Sequence, residues 1–330
     1  MYLQHRNRTI RRNASIRALM AETTLTPNDF MLPIFLQEGT NEKHAIPSMP
    51  GIYRMSLDLM VKEIKELYSL GIRAVNPYVK CDDSLKDNLG TEAWNPNGLM
   101  QRTIKAIKDA CPEMIIMSDV ALDPYSIYGH DGIITNGEVA NDATVEALVK
   151  MGNSHAAAGV DFLAPSDMMD GRIAALRQGL EESGHSHVGI MSYAAKYASC
   201  FYGPFREALD SAPVDNQEIP KDKKTYQMNP ANRIEALNEV FKDVEEGADI
   251  VMIKPAMSYL DIIREVKNSV TIPVSAYQVS GEYAMIHAAA QNGWLDLESS
   301  MMESLLSIKR AGADLISTYF AKEAAKVLNR

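Results

Sequence analysis

Two lysines stand where predicted apolar strands end, and a primary amine in such a place can act as a nucleophile. Lys254 closes a short apolar run and precedes Pro255, which biases the lysine toward an extended backbone. Lys196 follows another such run, although the segment 194–198 is also compatible with the start of a helix that carries an exposed lysine. Burial penalises a charged amine, so the alternative for Lys254 is a side chain that snorkels to solvent at the rim.

A pair of such lysines suits carbonyl chemistry. A free lysine has a pKa near 10.4, so only about one amine in a few thousand is neutral and nucleophilic at neutral pH. A second ammonium nearby and apolar surroundings both disfavour the charged form and can bring the pKa toward about 7 to 8. Schiff-base formation with a ketone then becomes feasible. Either one lysine lowers the pKa of the other, or each lysine binds its own carbonyl substrate.

A repeated junction marks the elements that must position these lysines. An amphipathic helical pattern ends at a glycine, which acts as a left-handed helix terminator, and a short apolar strand follows. The junction occurs at Gly71, Gly159, Gly247 and Gly312. The first two intervals are equal in length, and each accommodates two strand–helix units. The pattern therefore indicates a repeating β/α architecture.

Eight short, nearly continuous apolar runs are typical of strands buried on both faces, as in a parallel sheet. Eight strands alternating with helices predict a closed (β/α)8 TIM barrel, with an open doubly wound sheet as the alternative. No G-x-G-x-x-G turn follows any of the runs, which weighs against a dinucleotide-binding sheet. The predicted strands span residues 31–36, 72–78, 114–120, 160–164, 188–192, 248–254, 272–278 and 313–319.

Other polar residues fall at the ends of predicted strands, where a barrel of this type places its chemistry. The third strand ends at Asp119, the seventh reaches Ser280 and the eighth ends at Tyr319. If these residues have no role in catalysis, Ser280 simply caps the end of its strand and the ring of Tyr319 packs in the core. The segment 210–229 is rich in Pro, Lys, Asp and Gln without periodicity, and a loop of this length typically forms a lid or binding loop.

Composition and charge exclude several classes of protein. The chain has 330 residues, of which 46% are hydrophobic, as in an ordinary globular protein rather than a disordered or fibrous one. No apolar run is long enough to cross a bilayer, so we expect no membrane partner. The net charge of −10 argues against a nucleic-acid partner, despite five arginines between residues 6 and 17. Three separated cysteines indicate neither a disulfide framework nor a cysteine-rich zinc site, and we expect a reducing cytoplasm.

Several separated stretches carry a resemblance that covers most of the chain. They are KDNLGTEA at 86–93, SYAAKYAS at 192–199, FYGPFR at 201–206, MIKP at 252–255 and YQVSGEYAM at 277–285. Together they resemble the 5-aminolevulinate dehydratase family, also called porphobilinogen synthase. Chance agreement over so many separated blocks is implausible.

The family condenses two molecules of 5-aminolevulinate, with loss of two waters, to the pyrrole porphobilinogen, from which haem and other tetrapyrroles are made. The resemblance implies that Lys254 and Lys196 each form a Schiff base with one substrate ketone, Lys254 with the molecule that binds first. An iminium makes the adjacent carbon acidic and its own carbon electrophilic, so two activated ketones can be joined. The alternatives are a Schiff-base aldolase, in which Lys196 only tunes Lys254, and a catalytically silent barrel.

Each substrate molecule carries a carboxylate that must be neutralised and oriented. The resemblance assigns Arg206 and Gln227 to one carboxylate, and Ser280 and Tyr319 to the other. Without the family, Arg206 is a surface charge beside a loop. The family commonly has an arginine where this chain has Lys223, which keeps the charge but loses the bidentate fork. We expect Lys223 to take part in substrate binding.

The family's catalytic zinc ligands are missing. Zinc-dependent members carry three cysteines just after the third strand, and this chain has Ala121, Asp123 and Asp131 at those places. Thiolates suit zinc whereas carboxylates suit Mg²⁺, so we expect no catalytic zinc. Asp123 and Asp131 either bind an active-site Mg²⁺ or act electrostatically without a metal. The resemblance also places Asp119 beside the substrate amine, where it would transfer a proton or orient the amine.

A second Mg²⁺ site of the family is allosteric and lies away from the chemistry. Glu239 falls at its position, on the helix that leads into the sixth strand. Magnesium keeps most of its waters, so one carboxylate can suffice. Without the family, Glu239 is simply a solvated helix residue.

The resemblance also implies an assembly. In the family an N-terminal arm wraps a neighbouring barrel, and the usual assembly is an octamer. We therefore expect residues 1–28 to form an arm for subunit contacts and residues 29–330 to form the catalytic barrel, with a lid at about 202–228. The expected assembly is a homo-octamer, and the alternative for the arm is a disordered basic tail.

Overall fold

Apolar runs of the sequence form the strands of this protein, and the amphipathic segments between them form its helices. The computed structural model describes residues 3–214 and 219–330. The strands are β1 (Phe30–Leu36), β2 (Lys43–Ala45), β3 (Tyr53–Met55), β4 (Ala74–Val79), β5 (Ile115–Val120), β6 (Ile134–Thr135), β7 (Glu138–Val139), β8 (Phe162–Pro165), β9 (Gly189–Lys196), β10 (Ile250–Lys254), β11 (Val274–Gln278) and β12 (Leu315–Thr318). The α-helices are α1 (Ala14–Leu19), α2 (Leu57–Ser69), α3 (Leu99–Ala110), α4 (Asn141–Ala158), α5 (Arg172–Glu182), α6 (Gly203–Leu209), α7 (Ile234–Glu245), α8 (Leu260–Ser269), α9 (Ser280–Gln291), α10 (Leu297–Ala311) and α11 (Ala321–Leu328).

Eight of the strands run parallel and close into a barrel. Their order around the barrel is β1, β4, β5, β8, β9, β10, β11 and β12. The last strand pairs with the first, with Phe30 opposite Ile316 and Met31 opposite Ser317. This closure confirms the (β/α)8 TIM barrel and excludes the open doubly wound sheet.

The four predicted helix terminators all have positive φ, and they set where the next strands begin. After Gly71, the N–H of Ile72 donates to the carbonyl of Leu67 at 3.2 Å, which is the longer bond of a Schellman motif. The residue after the glycine therefore still belongs to the helix end. For this reason the strands after the four glycines begin two residues later than the sequence predicts.

Strand ends near the barrel mouth differ from prediction at three places. β9 extends to Lys196, so the interpretation of 194–198 as a helix start is wrong. β11 ends at Gln278, and Ser280 is the first residue of α9 rather than the end of a strand. β12 ends one residue before Tyr319. These corrections place Lys196 on a rigid strand and Ser280 on the helix that follows one.

The core lies inside the barrel and between the barrel and its helices. In α2, for example, Met60, Ile64 and Leu67 recur at helical spacing and are buried against the strands. The segment before the barrel is different, since α1 and the preceding 3-10 helix Asn7–Arg11 bury no side chain. No helix in the described part of the chain has the length and hydropathy needed to span a membrane.

Candidate active site

Side chains from the barrel strands β4, β5, β9 and β10, from the loops after β5 and β8 and from the predicted lid converge at the C-terminal mouth of the barrel. This is the end at which barrels of this type carry their chemistry. The residues that line the cavity there are Tyr78, Asp119, Asp123, Ser166, Lys196, Tyr202, Phe205, Arg206, Lys223, Gln227 and Lys254. Both predicted Schiff-base lysines, and four of the other residues to which the sequence assigned substrate contact or catalysis, therefore share one cavity.

Lys254 ends β10 and is buried among aromatic rings. Its Nζ lies 4.6 Å from the ring centroid of Tyr277, 5.1 Å from that of Phe205 and 5.2 Å from those of Tyr193 and Tyr202. Burial, and after it the neighbouring ammonium of Lys196, lower the pKa of Lys254 to about 7. A large fraction of this amine is therefore neutral, and nucleophilic, at neutral pH.

Lys196 ends β9 and pairs in register with Lys254 on the adjacent strand. Side chains in register on parallel strands point to the same face, so both amines reach the same level of the mouth. The surroundings of Lys196 are polar. Its Nζ donates to Oδ2 of Asp131 at 3.1 Å and to the carbonyl of Ser166. The two lysines thus have the same backbone position but different partners.

Asp119 lies on β5 and faces the same cavity. The hydroxyl of Ser166 donates to its Oδ1 at 2.7 Å. Burial, and after it the negative charge of Asp123, raise the pKa of Asp119 to about 7. A carboxyl with this pKa can both give and take a proton at neutral pH, as general acid–base catalysis requires.

Lys223, from the predicted lid, lies between two buried carboxylates. Its Nζ is 2.5 Å from Oδ1 of Asp131 and 3.2 Å from Oδ2 of Asp123. Burial alone would raise the pKa of Asp131, but the ammonium groups of Lys196 and Lys223 outweigh it and hold that pKa well below its usual range. The two carboxylates correspondingly raise the pKa of Lys223 against the effect of its burial.

The contacts of Lys223 with Asp123 and Asp131 bear on whether these carboxylates could hold an active-site metal. Ala121 offers no ligand, and the carboxylates of Asp123 and Asp131 already accept from the ammonium of Lys223. Within residues 3–214 and 219–330, no group of three His, Cys, Asp or Glu side chains is close enough to hold a metal ion. The residues therefore do not fit a directly coordinated catalytic metal, and their geometry favours the electrostatic alternative.

The predicted lid contributes two further side chains to the cavity. Arg206 lies on α6 and is partly exposed, whereas Gln227 is buried, and its Oε1 has no hydrogen-bond partner among the described residues. A buried acceptor without a partner is costly unless a ligand or water meets it. Residues 215–218 of the predicted lid lie outside the described residues.

Ser280 and Tyr319 lie beside the cavity but do not line it. The hydroxyl of Ser280 accepts from the backbone N–H of Phe205 at 3.0 Å, which ties α9 to α6. The hydroxyl of Tyr319 is 2.9 Å from that of Tyr277, one of the rings around Lys254. The structure therefore places both residues next to aromatic side chains of the lysine site, and their contact with substrate stays a prediction.

Glu239 lies on α7, outside the barrel, and is half-buried. It lines a separate cavity of about 490 Å³ together with the carboxylate residues Glu138, Asp170 and Glu235. Burial raises the pKa of Glu239. Magnesium keeps several of its waters and needs few direct protein ligands, and the assignment of Glu239 to such an ion stays a prediction. Pro220 and Tyr226 of the predicted lid line the same cavity.

Some residues of the site were not identified from the sequence. The four rings around Lys254 and the backbone and hydroxyl of Ser166 were missed. A usable signal existed for Ser166, because it directly follows β8 and so stands at a strand end. Tyr193 and Tyr277 lie near the ends of β9 and β11 and offered the same signal. Tyr202 and Phe205 have no such signal, since only the tertiary fold brings the lid over β10.

Comparisons with known proteins agree with this geometry. A family model described as "Delta-aminolevulinic acid dehydratase" matches residues 4–327. A protein of that name from Bradyrhizobium diazoefficiens is 52% identical over 312 residues, which cover 94% of this chain and 87% of the relative. Another from Chlamydia pneumoniae is 50% identical over 328 residues, covering 99% and 97%.

A solved structure is also closely similar. It is a delta-aminolevulinic acid dehydratase (porphobilinogen synthase) from Toxoplasma gondii, in complex with the reaction product porphobilinogen. The two chains are 45% identical and superpose with a TM-score of 0.95, over 98% of this chain and 92% of the other.

Proposed function

This chain belongs to the delta-aminolevulinic acid dehydratase family, and we propose that it performs the family's reaction through two Schiff bases, on Lys254 and on Lys196. The enzyme is a hydro-lyase that condenses two molecules of 5-aminolevulinate to porphobilinogen in tetrapyrrole biosynthesis. One observation carries the assignment of the lysines: the two side chains are paired in register at a buried barrel mouth.

Lys254 forms the first Schiff base. Its neutral amine adds to the ketone carbon of one substrate molecule, and the resulting carbinolamine loses its hydroxyl as water to leave an iminium. That hydroxyl needs a proton to depart. Asp119 lines the same cavity and, with a pKa of about 7, can supply it. The aromatic rings around the amine keep bulk water from hydrolysing the iminium.

Lys196 binds the second ketone in the same way. Asp131 and the carbonyl of Ser166 fix the position of its amine beside Lys254. Because two activated ketones lie in one cavity, their joining becomes an intramolecular reaction rather than a chance encounter. The carbon next to one iminium loses a proton and attacks the iminium carbon of the other substrate, whose amine in turn attacks the first iminium carbon to form the C–N bond. Each lysine leaves as a free amine when its bond to the attacked carbon breaks, and loss of a ring proton completes the pyrrole.

The substrate carboxylates meet the cationic and polar residues of the mouth and the lid. We assign Arg206, Lys223 and Gln227 to one carboxylate, since they line the cavity and Gln227 holds a buried polar atom free for a ligand. The ammonium of Lys223 has three N–H donors, and one remains beyond the two that Asp123 and Asp131 accept. Ser280 and Tyr319 are assigned to the other carboxylate, on the family resemblance.

Magnesium acts at a distance from the lysines in this proposal. Members of the family are generally metal-dependent. Glu239, with the acidic cavity around it, holds a largely hydrated Mg²⁺ that modulates activity, and no catalytic zinc takes part. The carboxylates of Asp123 and Asp131 serve instead to fix Lys196 and Lys223 in the mouth.

The wider organisation follows the same family pattern. Residues 1–28 form an arm for subunit contacts, residues 29–330 form the catalytic barrel and the enzyme is a cytoplasmic homo-octamer. Large apolar side chains of the arm are exposed in the single chain, among them Ile10 and Leu19, and a neighbouring subunit would cover them. The three cysteines are free thiols, as a reducing compartment favours.

Borohydride trapping combined with a pyrrole assay tests the proposal. The enzyme is reduced in the presence of 5-aminolevulinate, and the modified peptides are identified by mass spectrometry, while a parallel sample is assayed for porphobilinogen with and without Mg²⁺. Adducts on Lys254 and Lys196 together with pyrrole formation support it. An adduct on Lys254 with no pyrrole would indicate the one-lysine aldolase, and no adduct at all would indicate the silent barrel.

A further inference from the structure

A buried histidine joins the predicted lid to the loop that follows β5. We name residues 121–133 the β5 loop and residues 219–228 the lid segment. We propose that His130 and Tyr226 are positioning residues that clasp the lid segment over the two-lysine cavity. This inference rests on the proposed function, because it assigns lid closure to that reaction. The imidazole of His130 is fully buried and takes no part in the chemistry described above.

The hydrogen bonds of the clasp fix one tautomer. Nε2 of His130 is 2.8 Å from the carbonyl of Pro220, and a carbonyl can only accept, so Nε2 carries the hydrogen. Burial lowers the pKa of His130, which keeps the ring neutral and leaves Nδ1 as an acceptor. The hydroxyl of Tyr226, 3.0 Å away, therefore donates to Nδ1 and accepts the N–H of Asp131 at 3.2 Å.

These hydrogen bonds hold the lid segment at Pro220 and at Tyr226, and the lid residues assigned to the substrate lie between or next to these two points. Lys223 lies between Pro220 and Tyr226, and Gln227 directly follows Tyr226. Asp131, whose N–H the clasp engages, is also the carboxylate that contacts the ammonium of Lys223. The clasp thus sets the distance between the lid and the carboxylates of the β5 loop.

The opposite end of the lid segment is anchored to the strand that carries the second lysine. The N–H of Met228 donates to the carbonyl of Lys196 at 3.0 Å, and the carbonyl of Met228 accepts from Ala198 at 2.8 Å. These backbone bonds form a hinge on β9. Opening the lid therefore requires breaking the clasp at His130, while the hinge at Met228 stays in place.

Opening is necessary for turnover. The cavity beneath the lid has about 30 Å³ of space that the centre of a water molecule can reach, which holds a few waters but is small for a substrate molecule. The clasp must therefore break for substrate to enter and reform to exclude water from the iminium. Weakening it should lower the affinity for substrate more than the rate of the chemical steps.

Two substitutions separate this role from simple packing. Tyr226→Phe keeps the ring and removes the hydroxyl that bridges His130 and Asp131. His130→Gln places an N–H near the position of Nε2, keeping the bond to Pro220, and removes the Nδ1 acceptor. The matched control is His187→Asn, at an exposed histidine remote from the lid. Hydrogen exchange of the backbone amides is measured in each full-length enzyme, alongside KM, kcat and thermal unfolding.

We expect Tyr226→Phe, which loses two hydrogen bonds, to speed exchange in residues 219–228 and 121–133 by roughly tenfold, and to raise KM more than it lowers kcat. His130→Gln should have a smaller effect, and the double variant should exceed Tyr226→Phe alone only slightly, because both changes break the same bond. His187→Asn should match the unmodified enzyme.

Unchanged exchange in the lid segment of Tyr226→Phe would overturn the clasp, and so would exchange that rises equally throughout the barrel, since that marks a purely structural role. The exchange measurement needs no turnover. If the unmodified enzyme made no pyrrole, the proposed function would fail while the exchange result still judged whether His130 and Tyr226 hold the lid.

Discussion

Lys254 lies opposite Lys196 in register on adjacent barrel strands, yet the two amines have unlike surroundings. Aromatic rings surround the amine of Lys254, which forms no hydrogen bond with any of the described residues. The amine of Lys196 contacts a carboxylate, that of Asp131. The register of the parallel strands brings the two lysines together, and the side chains around them make the surroundings of the two amines different. The pKa of about 7 supports the proposal that Lys254 is the nucleophile that forms the first Schiff base.

Replacing Lys254 tests its role as nucleophile. Lys254→Met should lower kcat for pyrrole formation by at least about 10³-fold, because no other amine occupies its position. The free energy of unfolding should stay the same or rise, since the substitution removes the cost of burying an amine. Activity assays and urea unfolding measure the two effects. Lys221→Ala, at an exposed lid lysine, is the matched control.

The pH dependence of trapping reports the state of this amine. Below its pKa of about 7 Lys254 is an ammonium, so the initial rate of borohydride trapping should fall about tenfold per pH unit on the acid side and level off above pH 7. An exposed lysine would instead give a rate that keeps rising toward pH 10. A midpoint above pH 9 would contradict the burial argument.

The lowered pKa of Lys254 also makes the free energy of unfolding depend on pH. The pKa of Lys254 is lower in the folded state than in the unfolded chain, so the unfolded state binds more protons between about pH 7 and pH 10. The contribution of Lys254 to the free energy of unfolding should therefore become more favourable as pH rises through this window. The difference in unfolding free energy between Lys254→Met and the unmodified enzyme should shrink as pH rises from 7 to 10.

Asp119 should be needed for proton transfer rather than for binding. Asp119→Asn should lower kcat by about 10²- to 10⁴-fold and remove the ionisation near pH 7 that Asp119 contributes to the pH profile of kcat. Trapping of the first substrate on Lys254 should still be detectable at long times. A variant that kept full activity would show that the proton comes from elsewhere.

The ammonium of Lys223 neutralises the charges of two buried carboxylates, so its removal should lower the stability of the fold. Lys223→Met leaves Asp123 and Asp131 without this partner and should lower the free energy of unfolding by about 3 to 5 kcal/mol at pH 7. Lys223→Arg retains the charge and should keep most of the stability. Urea unfolding of both variants decides the point, and equal stability of Lys223→Met and the unmodified enzyme would contradict it.

Magnesium dependence should follow Glu239 and not the active-site carboxylates. Glu239→Gln should raise the Mg²⁺ concentration for half-maximal stimulation roughly tenfold or more, whereas Glu245→Gln, at an exposed position of the same helix, should not change it. After treatment with a chelator, Mg²⁺ should restore activity. Restoration by zinc alone would show that the interpretation of Asp123 and Asp131 is wrong.

Much of this site could be predicted because local patterns determine backbone structure. Glycine terminators and apolar runs predicted the eight strands, and a lysine at the end of an apolar run indicated an amine at the barrel mouth. The resemblance then supplied candidate contacts, of which Arg206, Lys223 and Gln227 line the cavity. Ser280 and Tyr319 do not line it, because the hydroxyl of Ser280 accepts from the backbone of Phe205 and the hydroxyl of Tyr319 meets that of Tyr277.

The sequence by itself thus determined the barrel, its mouth and the two amines, since each depends on residues within one strand or helix. Only the tertiary structure decided which side chains neutralise or enclose one another. Lys223 is about a hundred residues from Asp123 along the chain, yet their charged groups are 3.2 Å apart. The pKa of Lys254 likewise depends on rings from other strands and the lid. Burial and charge act through space, and only the closed barrel brings these distant segments together.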